Sequence, residues 1–320
     1  MDRIMRKVLA LITIAPVILT GALLATAENY PHKTVTLITH SSPGGGSDVF
    51  LRQLSNYIGP ELGVNVVVEN VRGGSGAKAM AAIAQAPADG SIFYATTPTF
   101  IYTSLLSNPE YKYTDLEPLV NMFIDPQVIY TSAKSPFMTL EDVMKEARES
   151  RGRWGAANPA SLERQALEQL KTVSGVKAAV VTHEGGGDLM INVLNGTLQC
   201  GVGEVQELQS QLEAKQLRIL ATFSGARLAN YPDVPTVQEL GYEVVVQKFR
   251  GLGGPKGIPD AVVKMWEKAV QAVLANPEYK ASYEEVNLRA EYINHPDYVK
   301  FISDFGAETE GFLRETGVIK

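Results

Sequence analysis

Residues 34–58 read TVTLIT-HSSPGGGSD-VFLRQLSNYI, and this stretch indicates the fold of the chain. The first six residues are β-branched or apolar, which is typical of a short β-strand. Three consecutive glycines follow. The next residues place Phe50, Leu54 and Ile58 at the spacing of one helical face. A strand that runs through a glycine-rich turn into a helix predicts the first unit of an α/β domain.

The same order of elements continues on the C-terminal side of this stretch. The residue pattern predicts a second strand at 64–69, a glycine turn at 72–76, an alanine-rich helix at 77–86 and a third strand at 91–96. Strands that alternate with helices in this way indicate a parallel sheet with helices on its faces.

A second α/β unit is predicted in the middle of the chain. Its expected strands and helices alternate, with strands at 154–157, 178–183, 199–203 and 218–223 and helices at 161–173, 189–194 and 206–214. The C-terminal region is expected to be mostly helical, with helices at 260–275 and 297–316.

Two apolar segments, 126–131 and 244–252, are placed to connect the two units. The first lobe is therefore predicted to contain residues 28–128 plus 249–320, and the second lobe residues 129–248. The carboxyl ends of parallel strands from both lobes would face the cleft between them, which makes this cleft the expected ligand site.

The N-terminus predicts export from the cytoplasm. Basic residues precede an apolar run at 8–24, and Ala25-Thr26-Ala27 has the small-x-small pattern of a signal peptidase site. Residues 1–27 are thus predicted to be a signal peptide cleaved after Ala27, which gives a periplasmic location. A membrane anchor is the alternative, although Pro16 weakens the run as a spanning helix.

Charge and cysteine content exclude some classes of function. The chain carries a formal net charge of −6 and has no long basic stripe, which argues against binding to nucleic acid. An acidic surface does not attract anions from a distance, so an anionic ligand would need a locally positive site. Cys200 is the single cysteine and lies in an apolar strand-like run, so it is expected to be a buried, inert thiol.

The glycine loop between the first strand and helix, Ser41–Asp48, is the strongest local feature. Glycines allow a ligand to approach the backbone, and the free N–H groups of the following helical turn favour an anion such as a carboxylate. The alternative is a tight turn with no ligand contact, in which Ser47 or Asp48 caps the helix. The loop matches neither a phosphate-binding loop nor a dinucleotide fingerprint.

Two loops of the second unit have the same arrangement of strand, loop and helix. Asn158 or Ser161 could bind a second anionic group or could cap the helix that follows. His183-Glu184-Gly185-Gly186-Gly187-Asp188 repeats the glycine pattern and could line the cleft opposite the first loop.

The sequence gives little support to a catalytic role. The four histidines are scattered without metal-ligand spacing, and no G-x-S-x-G nucleophile motif occurs. The remaining enzymatic alternative is a secreted hydrolase whose catalytic residues are far apart in the sequence and meet only in the folded protein. We therefore predict no enzyme activity, no catalytic residue, no metal site and no cofactor.

Motifs along the whole chain after residue 27 resemble, in order, those of a known receptor family. They are Tyr30-Pro31, Pro43-Gly44-Gly45-Gly46-Ser47-Asp48, Val66-Val67-Val68-Glu69-Asn70, Gly73-Gly74-Ser75-Gly76, Ala88-Asp89-Gly90, Tyr231-Pro232-Asp233-Val234-Pro235-Thr236, Gly251-Leu252 and Pro255-Lys256-Gly257-Ile258-Pro259. The chain resembles the extracytoplasmic solute-binding receptors of tripartite tricarboxylate transporters, often called Bug receptors.

The resemblance implies a type II periplasmic-binding-protein fold, in which two α/β lobes joined by a two-strand hinge close on a small carboxylate. It also implies delivery of that ligand to a membrane permease of two subunits. The receptor itself is expected to be a monomer. A periplasmic sensor that feeds a signalling kinase is an alternative within the same fold, and the sequence does not name the ligand.

The resemblance also implies which residues contact the ligand. In the first lobe they are Ser41, Gly45, Gly46, Ser47 and Asp48 of the glycine loop and Thr96, Thr97 and Thr99 after the third strand. In the second lobe they are Asn158, Ala160, Ser161, Gly186, Gly187 and Glu204.

The chain departs from the family pattern at presumed ligand contacts. His40-Ser41-Ser42 stands where many members have an aromatic-small pair, and His40 adds a hydrogen-bonding group there. Many members have a second-lobe loop rich in Gly, Ser and Thr at the position of Asn158–Glu163. Glu163 and Arg164 are expected on the surface of the helix that follows. Arg250, near the second hinge, is a candidate clamp for a carboxylate, or it pairs with an acidic surface residue.

Overall fold

The structure is a computed structural model that describes residues 29–320. The predicted signal peptide and its cleavage site lie outside the described residues. Within them, no helix is both long and apolar enough to cross a bilayer.

Strands and helices alternate along the first part of the chain. They are β1 (Thr34–Thr39), α1 (Gly46–Leu62), β2 (Asn65–Asn70), α2 (Ala77–Ala84), β3 (Ile92–Thr96), α3 (Pro98–Ser107) and β4 (Leu116–Ser132). The middle of the chain forms α4 (Leu140–Glu149), β5 (Arg153–Ala156), α5 (Leu162–Ser174), β6 (Ala179–Thr182), α6 (Gly186–Leu194), β7 (Cys200–Glu204), α7 (Val205–Glu213) and β8 (Leu217–Thr222). The last part forms β9 (Gln247–Pro255), α8 (Asp260–Ala275), α9 (Pro277–Glu285), β10 (Arg289–Ile293) and α10 (His295–Glu315).

The strand pairing confirms a mixed α/β fold of two lobes. In the first lobe β1 lies between β2 and β3 in parallel, and β9 runs antiparallel between β3 and β4. In the second lobe β5 lies in parallel between β6 and β7, and the last part of β4 pairs antiparallel with β7 and β8. Each lobe thus has the parallel strands that place loop ends at the cleft.

The long strand β4 passes from one lobe into the other. Its first part pairs with β9 as far as Pro126, which lies opposite Gln247, and from Gln127 onward it pairs with β7 of the second lobe. Together β4 and β9 form the two-strand hinge. The change of partner occurs within a few residues of the lobe boundaries predicted at 128 and 249, although the division of the chain into those segments stays a prediction.

The hinge strand β9 has two different faces. The ring of Phe249 packs against Tyr298 and Phe301 of α10 and against Phe100 of α3. Because side chains alternate along a strand, Lys248 and Arg250 point to the opposite face, where both are buried. The aromatic cluster therefore fixes the strand from one side and turns two positive charges toward the other.

The helix α8 supports the first lobe from outside the sheet. Its apolar face includes Val262, Val270 and Trp266, and the Trp266 ring lies 4.6 Å from the ring of Phe93 on β3. The packed cluster also includes Leu54 of α1. This packing holds α1, and with it the glycine loop that precedes α1, against the sheet.

Several elements differ from the predictions. α3, α4, α9 and β10 were not predicted, β4 begins ten residues earlier than the predicted connector at 126–131, and α6 begins at Gly186 rather than at 189. At the end of α10, Leu313 is buried in the same cluster as Trp154 of the second lobe. The C-terminal end of the chain therefore contacts the core of the other lobe.

Candidate functional site

A small cavity lies between the two lobes at the ends of their parallel strands. Its volume is about 20 Å³, which is about the space that one water molecule needs. It is lined from the first lobe by His40, Ser41, Gly46, Ser47 and Thr99, from the second lobe by Ala157, Asn158, Glu163, Gly185, Gly186, Glu204 and Glu207, and from the hinge by Lys248. The cleft is thus closed around a polar, buried centre.

The glycine loop of the first lobe begins α1 at the edge of this cavity. Gly45 is the N-cap residue with extended backbone angles, and α1 starts at Gly46, so the alternative that Ser47 or Asp48 caps the helix is wrong. The Gly46 N–H points across the cleft and donates to Glu207 Oε2 of the second lobe at 2.7 Å. The N-terminus of α1 already binds a carboxyl oxygen here, which is the chemistry expected of such a site.

The side chain of Asp48 shapes the loop from behind. Its carboxylate accepts hydrogen bonds from the Gly44 N–H at 2.9 Å, from Arg52 and from Asn70. Burial opposes ionisation of Asp48, but these hydrogen bonds outweigh it and lower the pKa of the carboxyl group. Asp48 thus stabilises the loop conformation and does not line the cavity.

The glycine loop of the second lobe approaches the first loop backbone to backbone. A Cβ atom on Gly185 would overlap Ser42, and one on Gly187 would overlap the Pro43 carbonyl oxygen. The Asp188 N–H lies 3.4 Å from Ser42 Oγ, also across the cleft. These glycines permit the closed form because no side chain separates the two loops.

The floor of the cleft holds a buried charge cluster, which consists of Asp125, Glu163, Glu204, Glu207, Lys248 and Arg250. Each of these six residues is at most 7% exposed. Lys248 Nζ bonds to Glu163 Oε1 at 2.6 Å and also to Glu204 Oε1. The guanidinium group of Arg250 bonds to Asp125 Oδ2 and donates to Ser47 Oγ at 3.2 Å. The cluster joins both lobes through the hinge strand β9.

Burial and the neighbouring charges separate the pKa values of the acidic groups. Burial would raise the pKa of Glu204, but Lys248 and Arg250 together lower it to about 2. Burial raises the pKa of Glu207 well above its ordinary value, and the charge of Glu204 raises it further. The pKa of Glu163 is also raised, chiefly by burial, although Lys248 opposes the shift. Among the three acids that line the cavity, Glu204 is therefore the ionised one.

The imidazole of His40 is neutral at the edge of the cavity. Burial lowers its pKa to about 3, and the charges of Lys248 and Arg250 act in the same direction. His40 Nδ1 lies 2.7 Å from the hydroxyl group of Tyr94, which fixes the orientation of the ring. His40 therefore offers the cavity a hydrogen-bonding group without a charge.

A larger cavity of about 880 Å³ lies at another part of the hinge. It is bounded by segments 124–126 and 246–247, by loop 224–230 and by side chains between 280 and 290. It shares no lining residue with the interlobe cavity, and Asp125 is the single member of the buried charge cluster in its wall. We assign the functional site to the interlobe cavity because the strand ends, the glycine loops and the buried charges meet there.

A family model described as the tripartite tricarboxylate transporter family receptor matches residues 50–318. The chain belongs to this receptor family. Among curated proteins, BugT of Bordetella pertussis is 26% identical over 300 residues, which cover 91% of this chain and 92% of BugT. A protein of the gbd 5' region of Cupriavidus necator is 25% identical over 301 residues, with 92% and 91% of the two chains covered.

Solved structures of similar chains agree on the fold of this receptor. The periplasmic binding protein BugD aligns with a TM-score of 0.84 at 24% identity, over 90% of this chain and 99% of BugD. The R. palustris protein Rpa4515 with adipate aligns with a TM-score of 0.85 at 23% identity, with the same coverage. MatC from Rhodopseudomonas palustris with bound malate aligns at 0.73 and 21% identity, over 81% and 90% of the two chains.

The structure brings half of the predicted ligand contacts to the wall of the cavity. Those that line it are Ser41, Gly46, Ser47, Thr99, Asn158, Gly186 and Glu204. Those that lie nearby but do not line it are Gly45, Asp48, Thr96, Thr97, Ala160, Ser161 and Gly187.

Some predicted contacts have structural partners in the closed form. Ser161 is the N-cap of α5, and its Oγ accepts from the Arg164 N–H at 3.2 Å, so the capping alternative is confirmed for Ser161. Asn158 Oδ1 accepts from the Ala160 N–H, one residue before that cap. Thr96 Oγ1 lies 2.7 Å from the hydroxyl group of Tyr298. These bonds organise the loops around the cleft.

Sequence reasoning missed the buried charges. Glu163 was expected on the helix surface, which is wrong, because it is 3% exposed and pairs with Lys248. Arg250 pairs with Asp125, which is itself fully buried and not an acidic surface residue. The sequence did contain a signal for Lys248 and Arg250. These two charged residues are two positions apart in an otherwise apolar strand, so they share one of its faces. Charges on such a strand indicate buried partners of opposite charge.

We expect Glu207 to contribute stability that is lost as the pH rises above its ordinary pKa of 4.5. Glu207 has a raised pKa in the folded state, so the folded chain retains a proton that the unfolded chain releases near pH 4.5. The folded state then binds more protons, and the free energy of unfolding falls by at most about 1.4 kcal/mol per pH unit for one such proton. Urea unfolding at several pH values measures this slope.

The variant Glu207→Gln should flatten this pH dependence because it removes the titrating group. Glu141→Gln is the matched control. Glu141 is exposed, and its pKa is lowered by Arg148, so it adds no slope above pH 5. An unchanged slope in Glu207→Gln would assign the pH dependence to another group.

Proposed function

We propose that this chain is a periplasmic receptor that captures a small carboxylate in the interlobe cleft and delivers it to a tripartite tricarboxylate-type membrane transporter. The observation that carries the proposal is the meeting of two glycine loops across the cavity, each at the N-terminus of a helix, α1 at Gly46 and α6 at Gly186. Helix N-termini favour anions through their free N–H groups and their partial positive charge.

The hydrogen bond from Gly46 to Glu207 supports a carboxylate as the ligand. A carboxyl oxygen already occupies the position at which the α1 N-terminus directs an N–H group. A ligand carboxylate that enters the open cleft would take the place of the Glu207 oxygen. Among similar proteins, Rpa4515 is described with adipate and MatC with bound malate, which supports this class of ligand.

The ligand contacts in this proposal are those implied by the family resemblance. In the first lobe they are Ser41, Gly45, Gly46, Ser47, Asp48, Thr96, Thr97 and Thr99, and in the second lobe Asn158, Ala160, Ser161, Gly186, Gly187 and Glu204. For Asp48, Thr96 and Ser161 the role would be indirect, since their side chains bond to protein groups that shape the loops.

Binding in this proposal requires the lobes to open. A cavity of about 20 Å³ does not admit a dicarboxylate, so the lobes must move apart about β4 and β9 near 127–131 and 249–251. A ligand that contacts loops of both lobes would stabilise the closed form, because the open form lacks half of those contacts. The permease would then recognise the closed receptor.

The test is thermal unfolding of residues 28–320 with a panel of small carboxylates and their neutral amides. We expect one acid to raise the melting temperature and its amide to leave it unchanged. A ligand present at a hundred times its dissociation constant adds about 2.7 kcal/mol of stability, which corresponds to a shift of several degrees. The protein is first unfolded, dialysed and refolded so that a co-purified ligand is removed.

A panel in which no acid stabilises the refolded protein, or in which the amides stabilise it equally, would contradict the proposed function. Turnover of an ester panel by the same preparation would favour the secreted hydrolase instead.

A further inference from the structure

We infer that the end of α10 and one face of α3 form an apolar clasp, which holds the two lobes together in the closed form and separates when they open. The clasp consists of Tyr102, Leu105, Leu106, Leu313 and Ile319, all of them from the first lobe. The inference rests on the proposed function in one respect, the opening of the lobes. The contacts that carry it lie outside the interlobe cavity.

The clasp side chains pack into the apolar core of the second lobe. They share one cluster with Trp154, Leu167 and Phe223. Tyr102 is 7% exposed, and Leu313 is fully buried. Since α3 also lies against α5, the two lobes meet here through a continuous apolar contact. Such a contact is stabilised by the removal of apolar surface from water, so it needs no ligand.

The helix α10 connects the clasp to the hinge. Near the start of this helix, Tyr298 packs against Phe249 of the hinge strand β9, and its hydroxyl group lies 2.7 Å from Thr96 Oγ1. Leu313 follows about four turns later, roughly 22 Å along the helix axis. The first half of α10 is therefore fixed to the first lobe, while its end reaches the second lobe.

The residues that follow α10 fold back and complete the clasp. Gly317 has a φ of 71°, in the left-handed region that glycine adopts at little cost. The N–H groups of Val318 and Ile319 then both donate to the Leu313 carbonyl oxygen, at 2.9 and 3.2 Å. This turn places Ile319 against the apolar cluster, whereas the neighbouring Val318 is 57% exposed.

Separation of the clasp has a cost that does not depend on the ligand. When the lobes rotate about β4 and β9 and the two sides of the clasp part, apolar surface of both lobes becomes exposed to water. The free energy required rises with the area exposed. The clasp therefore shifts the population toward the closed form, and a ligand that binds the closed form gains apparent affinity from this shift.

The experiment measures the separation of the lobes in the refolded protein without any ligand. Spin labels are attached through Val67→Cys on β2 and Ile191→Cys on α6, since both positions are exposed. Each position lies within a few residues of Arg72 or Asp188, which pair with each other across the exposed edge of the cleft. The native Cys200 is fully buried, and burial raises its pKa, so it should not react with the label. Pulsed electron paramagnetic resonance then gives the distribution of distances between the lobes.

The variant Ile319→Asp places a charge in the clasp. We expect it to move this distribution toward longer distances and to weaken binding of the best acid of the panel at least fivefold, because a carboxylate opposes burial in an apolar contact. Val318→Asp is the matched control, since it places the same charge on the exposed side of the same turn. It should change neither the distances nor the affinity.

A second pair of variants tests the helical part of the clasp. Leu313→Ala removes most of a fully buried side chain and should act in the same direction as Ile319→Asp. Phe312→Ala is its control, because the Phe312 side chain is larger and adjacent but 45% exposed. It should leave the distances unchanged.

Each other outcome has a distinct meaning. Unchanged distances in both Ile319→Asp and Leu313→Ala would overturn the clasp, because the contact would then persist in the open form as a pivot. An equally large effect of Val318→Asp would overturn it as well, since the effect would not depend on the buried face. Longer distances in Ile319→Asp, in a protein that binds no acid, would support the clasp and contradict the proposed function. If Leu313→Ala does not fold, Ile319→Asp decides alone, because Ile319 lies beyond the last helix.

Discussion

The variant Arg250→Met is expected to lower the free energy of unfolding by about 3–5 kcal/mol. Arg250 is fully buried, and its guanidinium group bonds to Asp125, also fully buried, at 2.9 Å through Nε and again through a second nitrogen. Removal of the cation leaves the carboxylate of Asp125 without its partner in the protein interior. Urea unfolding monitored by circular dichroism measures the loss.

The other contacts of Arg250 add to this effect. Its guanidinium carbon lies 5.5 Å from the centre of the Phe50 ring, and another nitrogen donates to Ser47 Oγ. Phe50 and Ser47 both belong to α1. Replacement of the Arg250 side chain should therefore also loosen the first turn of α1 and weaken ligand binding at the glycine loop.

The double variant Arg250→Met with Asp125→Leu should recover much of the lost stability. Replacement of a buried ion pair by apolar residues of similar volume is often close to neutral, whereas loss of one partner is not. Gln206 also donates to Asp125, so part of the loss will remain. The double-mutant cycle reports the coupling between the two residues directly.

Arg227→Met is the matched control for this experiment. Arg227 pairs with Glu239 at 2.9 Å, but both side chains are almost half exposed. Exposed pairs contribute about 0–1 kcal/mol, so this variant should be nearly neutral. A loss below about 1 kcal/mol in Arg250→Met would contradict our view of the buried charge cluster as a mutually dependent unit.

The second large effect is expected from Gly187→Ala, which should weaken ligand binding by about 5- to 150-fold. An added Cβ atom would overlap the Pro43 carbonyl oxygen of the opposite lobe when the cleft is closed. Overpacking of this kind costs about 1–3 kcal/mol, and each 1.4 kcal/mol is tenfold in affinity. The affinity is measured with the acid that gives the largest melting shift in the panel described above.

This variant should not destabilise the lobes themselves. Gly187 lies in the first turn of α6, where alanine favours helix formation slightly more than glycine. The overlap exists only between the two lobes. The melting temperature of the variant without ligand should therefore be unchanged or slightly higher. X-ray scattering should show less compaction on addition of ligand than in the unmodified protein.

Gly311→Ala serves as the control for Gly187→Ala. Gly311 lies in α10, and a Cβ atom there would meet no neighbouring atom within 4 Å. It should leave both affinity and compaction unchanged. Normal affinity in Gly187→Ala would mean that the two glycine loops do not approach this closely in the ligand-bound protein.

Elements with a strong local pattern were predicted well from the sequence. The helix predicted at 260–275 has those bounds. The helix predicted at 161–173 spans Leu162–Ser174 and ends at Gly175 in the left-handed conformation, which glycine adopts readily. The first strand and glycine turn were also confirmed. In each case the signal lies in residues a few positions apart, because periodicity and capping depend on near neighbours.

The helices α3 and α4 were not predicted for two different reasons. Seven consecutive residues of α3, from Pro98 to Ser104, are buried, so it has no polar face to give a helical period. The opposite case is α4, whose Thr139 and Asp142 form a capping box that is readable from the sequence and was overlooked. The helix α3 has no polar face because tertiary packing buries it on all sides. The cap of α4, in contrast, was a local signal in the sequence.

Local sequence accounts for the βα units, for the two glycine loops and for the motifs of the tripartite tricarboxylate transporter receptor family. The tertiary structure alone shows which charges are buried together. Glu163 and Lys248 are 85 residues apart, and Asp125 and Arg250 are 125 residues apart. No local period can indicate such pairs, because a charged side chain on a helix or strand has the same pattern whether it meets water or a distant partner. The chemistry of the cleft floor therefore depends on how the two lobes close, while the strands and loops that form the cleft depend on neighbours along the chain.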